Sequence, residues 1–478
     1  MRAPQAQPSC DPDRLPAASA ADAAAVARLV ERLAAISRHP WTLMEVCGGQ
    51  THAIVRWGLD QLLPPGLQLI HGPGCPVCVT PAETLEQALA LARRADVILC
   101  SYGDMLRVPG RGSDTLLTAR AEGADVRLLT SPLQTLRIAR EHPNRQVVFL
   151  AVGFETTAPA TALLARQILE RDLANLTLLN AHVRVAPAME AIVAEPGNRV
   201  QGFLAAGHVC AVLGTAELEA LVARRRLPVV VSGFTARQLL AALVACVEQL
   251  EAGAAQLDNA YRQVVQAGGN RQAQQLLAEV FRPCDRRWRG LGVLAGGGLA
   301  LRGAYARLDA RLRFALPAEL DPGDTHRQGD VAWPPAAHDR DNNAAPGSAG
   351  GSGQHREHGP VAPGDRDPVR HRCASGLCPA PPAGLAAAVA VGADRPGRPA
   401  EPPPAGSQPR APAPAPGQIC IAGAILRGRA RPIDCPAFAG ACSPEQPLGA
   451  PMVSSEGACA AYHQYRLGPD RRQPPLQP

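Results

Sequence analysis

Residues 145–172, RQVVFLAVGFETTAPATALLARQILERD, decide the fold. An unbroken apolar run is followed by a short polar turn, and then by apolar residues at three- and four-residue intervals. That pattern is a fully buried strand feeding an amphipathic helix. The design recurs on either side. ADVILCSYGD (95–104), LTLLNAH (176–182), QGFLAAGH (201–208) and LPVVVSGF (227–234) read as further buried strands, and PAETLEQALALARRA (81–95) as another helix. Continuous apolar strands separated by helices call for parallel sheets covered on both faces. The expected fold class is α/β, with two Rossmann-like parallel-sheet domains at residues 21–140 and 141–280. Ligands of open α/β sheets bind beyond the carboxyl ends of the strands, so Asp104, Glu155, His182, His208 and Phe234 are candidate site residues.

The rest of the composition excludes more than it suggests. The chain has 478 residues, a formal charge of +6 and no lysine. Walker-type, Schiff-base and kinase-type lysine chemistry are thereby ruled out. Aromatic residues make up 3% and the arginines are dispersed, so there is neither a stacking platform nor a basic stripe for nucleic acid. No apolar run of about 18 residues is present, so no membrane span is expected. The N-terminal stretch lacks the apolar core of a secretion signal. A cytoplasmic location follows as an expectation, and there cysteines serve metals or redox chemistry more often than structural disulfides.

Seven of the fourteen cysteines fall into two readable groups. Cys47 lies in MEVCGGQTH, and Cys75 and Cys78 in HGPGCPVCVTP. The C-x-x-C pair suits a reversible disulfide or one half of a zinc site. Cys47, followed by two glycines, suits either a thiolate presented to a metal or a small buried apolar residue. Near the C-terminus Cys420, Cys435, Cys442 and Cys459 are spaced C-x14-C-x6-C-x16-C. Four thiolates hold a [4Fe-4S] cluster. A four-thiolate zinc site is the alternative, although zinc prefers paired short spacings. Residues 317–417 are rich in Pro, Gly, Ala and charge, a composition unable to form a core. They read as a disordered insertion in which Cys373 and Cys378 are bystanders, and residues 1–20 and 466–478 read as disordered ends.

In order along the chain, MEVCGGQTHAI, GPGCPVCVTP, GDMLRVPG, GFETT, WRGLG, DCPAFAGACSPE and MVSSEGAC together resemble the HypD family of hydrogenase maturation factors. The resemblance implies two α/β domains and a small C-terminal cluster domain, here residues 281–316 and 418–465. It implies a scaffold that, with HypC, binds iron and assembles the Fe(CN)2CO unit of nickel–iron hydrogenases. Cyanide would be accepted reductively from HypE, and the product passed on to the hydrogenase large subunit. On this resemblance Cys47 and His52 are the expected iron ligands. Cys75, Cys78, His208, Glu155 and Glu456 are the expected catalytic residues, and the four C-terminal cysteines the cluster ligands. The chain departs from the family pattern at Pro451, where relatives tend to have cysteine, and in AGHVC, where they tend to have PGHVS. A cluster-dependent disulfide reductase resembling ferredoxin–thioredoxin reductase would use the same cluster and C-x-x-C but has no need of Cys47. A zinc-stabilised binding protein is a third reading.

Overall fold

The computed structural model of the chain describes residues 20–110, 112–317 and 420–467. The segment read as an insertion lies, but for Pro317, outside the described residues, as do Cys373, Cys378, and nearly all of both chain ends.

The 145–172 stretch folds as its pattern requires. Strand β5 (Gln146–Gly153) is buried beyond its first residue and is followed by the helix Ala158–Glu170. Eight further strands build two parallel sheets. They are β1 (Trp41–Glu45), β2 (Leu67–His71), β3 (Val97–Ser101), β4 (Val126–Leu128), β6 (Leu176–His182), β7 (Gly202–Ala206), β8 (Val229–Ser232) and β9 (Leu257–Asn259). One sheet has the order β2-β1-β7-β8-β9 and the other β4-β3-β5-β6. The expected α/β class with two Rossmann-like parallel sheets is what the chain adopts.

The division at residue 140 is corrected by this order. The four-stranded sheet, residues 97–182, is inserted between β2 and β7 of the five-stranded one, so the two lobes interleave instead of following one another. In register, β1 pairs with β2 on one side (Glu45 opposite His71) and with β7 on the other (Glu45 opposite Leu204). Burial alone cannot say which of several similar strands lie side by side.

The order also locates a crevice. From β1 the chain proceeds to β2 on one side, and from β7 to β8 and β9 on the other. The adjacent pair β1/β7 is therefore a topological switch point, the place where open α/β sheets receive ligands.

An antiparallel hairpin follows, β10 (Phe281–Trp288) and β11 (Gly292–Leu301). The sequence places it in the C-terminal cluster domain; in the structure Phe281 and Leu299 join the core of the four-stranded lobe, and Trp288 and Leu294 that of the five-stranded one. Asn180 Nδ2 donates to Leu299 O at 2.7 Å, and Gly298 bridges to Val183. Its turn reaches the C-terminal segment at Gly290, whose φ of +83° suits glycine. A Cβ there would lie 2.9 Å from Gly423 Cα.

Residues 420–467 carry only short helices and are held by contacts with both lobes. Ser454 Oγ donates to Asp104 Oδ2 at 3.1 Å, and Arg107 Nη2 to Val453 O at 2.9 Å. Arg427 pairs with Glu195 at 3.0 Å, and Arg466 with Asp60. Among the described residues no helix is long and apolar enough to cross a membrane.

Candidate functional site

Cys47 is the N-cap of the helix Gly48–Trp57, two residues beyond β1, and is buried. Its Sγ lies 3.7 Å from His208 Nδ1. His208 begins just past β7, and its ring stacks on Phe234, from the end of β8, with centroids 5.2 Å apart. Cys47, His208 and Phe234 thus meet at the ends of β1, β7 and β8, across the switch point. Buried Gln50 fixes this rim, with Nε2 donating to Ala205 O at 3.2 Å and Ser232 O at 3.1 Å.

The C-x-x-C pair belongs to the same site. Cys75 and Cys78 form a disulfide at the start of the short helix Pro76–Val79, just past β2. Gly74 explains the closeness of the two thiol motifs: a Cβ there would run into the Cys47 backbone, while Gly48 N donates to Gly74 O at 2.8 Å. Gly48 plays the same part toward the C-terminal segment, since a Cβ on it would strike Glu456. Cys47, Cys75, Cys78, His208 and Glu456 are therefore brought together.

His52 is not. Five positions along a helix turn a side chain through about 140°, so His52 points away from the N-cap. Its Nε2 is paired with Tyr465 OH at 2.8 Å. The imidazole that meets Cys47 is that of His208. Glu155, at the end of β5, lies elsewhere too. Its Oε1 accepts from Val185 N at 2.9 Å, its Oε2 has no hydrogen-bond partner among the described residues, and it lines a separate cavity with Cys210 and Glu217. Burial, and then the Glu217 carboxylate, push its carboxyl up to about 7.

Sequence reasoning passes over a buried polar chain beneath the thiols. Glu45, with no exposed surface, accepts from Cys47 N at 2.8 Å, from Thr51 Oγ1, and pairs with His71 Nδ1 at 2.7 Å. His71 Nε2 reaches Tyr462 OH at 3.2 Å. Glu45 and His71 end β1 and β2, so the strand-end rule finds both once WTLME and LQLIH are recognised as strands.

Electrostatics favour the protonated thiol at Cys47. Burial and the Glu45 carboxylate push it well above the ordinary thiol range, against the N–H groups of Gln50 and Gly49. Burial also lowers the His208 imidazole, which favours its neutral form. A bound cation reverses such pKa logic at a thiol.

Cys420, Cys435, Cys442 and Cys459 line one cavity with apolar neighbours that include Ile425, Phe438, Pro451 and Met452. Leu448 N donates to Cys442 Sγ at 3.3 Å, and a Cβ on Gly449 would sit 2.7 Å from Cys420 Sγ. Burial raises the Cys420, Cys442 and Cys459 thiols, and their sulfur neighbours add to it. Among the described residues no three His, Cys, Asp or Glu side chains gather as a single metal ion requires. Four sulfur donors around one cavity, without a carboxylate or imidazole, are a donor set that suits an iron–sulfur cluster, in which the ligands bind separate irons.

Comparison with known proteins agrees with the motifs. The HypD family model, described as the hydrogenase formation hypA family, matches residues 23–331 and 408–466. The chain is 37% identical to the hydrogenase maturation factor HypD of Azotobacter vinelandii, with 93% of this chain and 95% of that protein covered. It is 35% identical to hydrogenase maturation factors HypD of Escherichia coli strain K12 and of Rhodobacter capsulatus, with 92% of this chain and 95% and 94% of theirs covered. Similarity of this extent, running through both lobes and the C-terminal segment, shows that the chain belongs to the HypD family of hydrogenase maturation factors.

Proposed function

We propose that this chain is the scaffold on which, together with HypC, the Fe(CN)2CO unit of nickel–iron hydrogenases is assembled, with cyanide taken reductively from HypE. The observation that carries this reading is the meeting of Cys47 and His208 at 3.7 Å beside the Cys75–Cys78 disulfide, at the switch point of the five-stranded sheet.

Iron is the substrate here, and the soft thiolate of Cys47 suits a low-spin iron carrying CO and cyanide. His208 Nδ1 is placed to take the Cys47 proton as iron arrives. The HypC cysteine would complete the grip on the iron. With Cys75 and Cys78 reduced, cyanide release balances. The S–C bond of a thiocyanate on HypE breaks, the dithiol gives two electrons and two protons, and the products are a HypE thiol, hydrogen cyanide and the Cys75–Cys78 disulfide. Cys420, Cys435, Cys442 and Cys459 would hold a [4Fe-4S] cluster, which would relay single electrons from an external reductant to restore the dithiol. The completed iron unit would then pass to the hydrogenase large subunit. A disulfide reductase shares the disulfide and the four-cysteine cavity, but leaves the Cys47–His208 pair without a task.

The test is infrared spectroscopy of the chain purified anaerobically with HypC. Stretching bands of bound CO and cyanide are expected. Iron present in the complex without those bands contradicts the proposal.

A further inference from the structure

The WRGLG motif has no part in the mechanism above, yet its arginine stands between the two redox-active cysteine sets. Arg289 N donates to Val79 O at 2.7 Å, where the disulfide-bearing helix ends. Its Nε donates to Thr80 O at 2.9 Å and its Nη2 to Pro109 O at 3.3 Å. The next residue, Gly290, packs against Gly423, three positions after Cys420. The guanidinium is thus tied to neutral carbonyls, and among the described residues it forms no ion pair. Burial lowers its pKa, whereas Glu83 and Glu86 on the helix Ala82–Ala92 and the sulfur of Cys420 act electrostatically in the opposite sense. The Arg289 side chain is partly buried, and a cation drawn out of water without an ion-pair partner is costly. A cluster on four thiolates is anionic and gains a further negative charge on reduction, which gives this cation a partner.

We propose that Arg289 is a positioning residue whose fixed positive charge, held between the Cys75–Cys78 helix and Cys420, raises the reduction potential of the cluster carried by the four C-terminal cysteines. The inference rests on the cluster reading under Proposed function. Local charge and hydrogen bonding to sulfur are among the factors that set such potentials, and arginine keeps its charge at any working pH.

The experiment is an EPR-monitored redox titration of the full chain, purified anaerobically, as wild type, Arg289→Gln and Arg289→Lys. Arg289→Gln should shift the midpoint to more negative potential, and Arg289→Lys should stay near wild type. Arg289→Met, with an unbranched uncharged stem, repeats the test should the glutamine variant not fold. An unchanged midpoint in the uncharged variants overturns the inference. So does an equal shift in Arg289→Lys, because the hydrogen-bonding fork would then matter and the charge would not. A wild-type chain without iron and sulfide overturns the cluster reading itself, and this inference with it.

Discussion

Glu155 shows what burial does to a single side chain. Its carboxyl moves from an ordinary 4.5 in the unfolded chain to about 7 in the folded protein. Below 4.5 both states are protonated and nothing is lost. Between 4.5 and 7 the unfolded chain ionises first, so stability falls as pH rises, by up to about 3 kcal/mol, and the loss is complete above 7. Glu155→Gln keeps the shape of the protonated acid and should remove this decline. Urea unfolding of both proteins at about pH 5 and pH 8 checks it, and an identical pH response in the two would refute the assignment. That Oε2 finds no hydrogen-bond donor among the described residues is the structural sign of the same cost. The histidines mark how far residue-level reading carries. His208 was legible because it ends an apolar run. His52, expected beside Cys47 on the family resemblance, is carried away from it by the rotation of the intervening helix and pairs with Tyr465.

At the scale of elements, apolar runs were enough to find β3, β5, β6, β7 and β8, because strands buried on both faces carry little else. The WTLME and LQLIH stretches, interrupted by polar residues, hide β1 and β2, and with them Glu45 and His71. The partners of each strand are a tertiary matter, and the interleaving of the two lobes was not readable. On the proposed cluster reading, the C-terminal segment is the element most dependent on a bound group. Its helices are four and five residues long, and its apolar cluster is built around Cys442, Cys459, Ile425 and Met452. Metal binding and folding are coupled in such small modules. Cys435→Ser should therefore abolish the brown chromophore and speed hydrogen exchange in residues 420–467. Iron and sulfide persisting at about four each per chain would show that Cys435 is not a ligand.

For the whole molecule, the family match omits residues 332–407, which fall inside the segment whose composition cannot form a core. Every motif that carries the resemblance lies outside it. Shortening a long connection changes its closure cost by only about 0.6 kcal/mol per halving. A chain lacking residues 332–407 should support hydrogenase maturation at near the wild-type level in a strain deleted for its own factor. Loss of maturation by a folded, cluster-bearing deletion protein would give the segment a function of its own. Cys47 sits where the five-stranded lobe meets the C-terminal segment: it touches His208 directly and Gly74 through the backbone, and faces Glu456 across Gly48. The most direct measurement is the infrared spectrum of Cys47→Ala purified anaerobically with HypC, beside the wild-type complex. The CO and cyanide bands should disappear while the visible absorbance of the cluster stays; bands retained at wild-type intensity would contradict iron binding at Cys47.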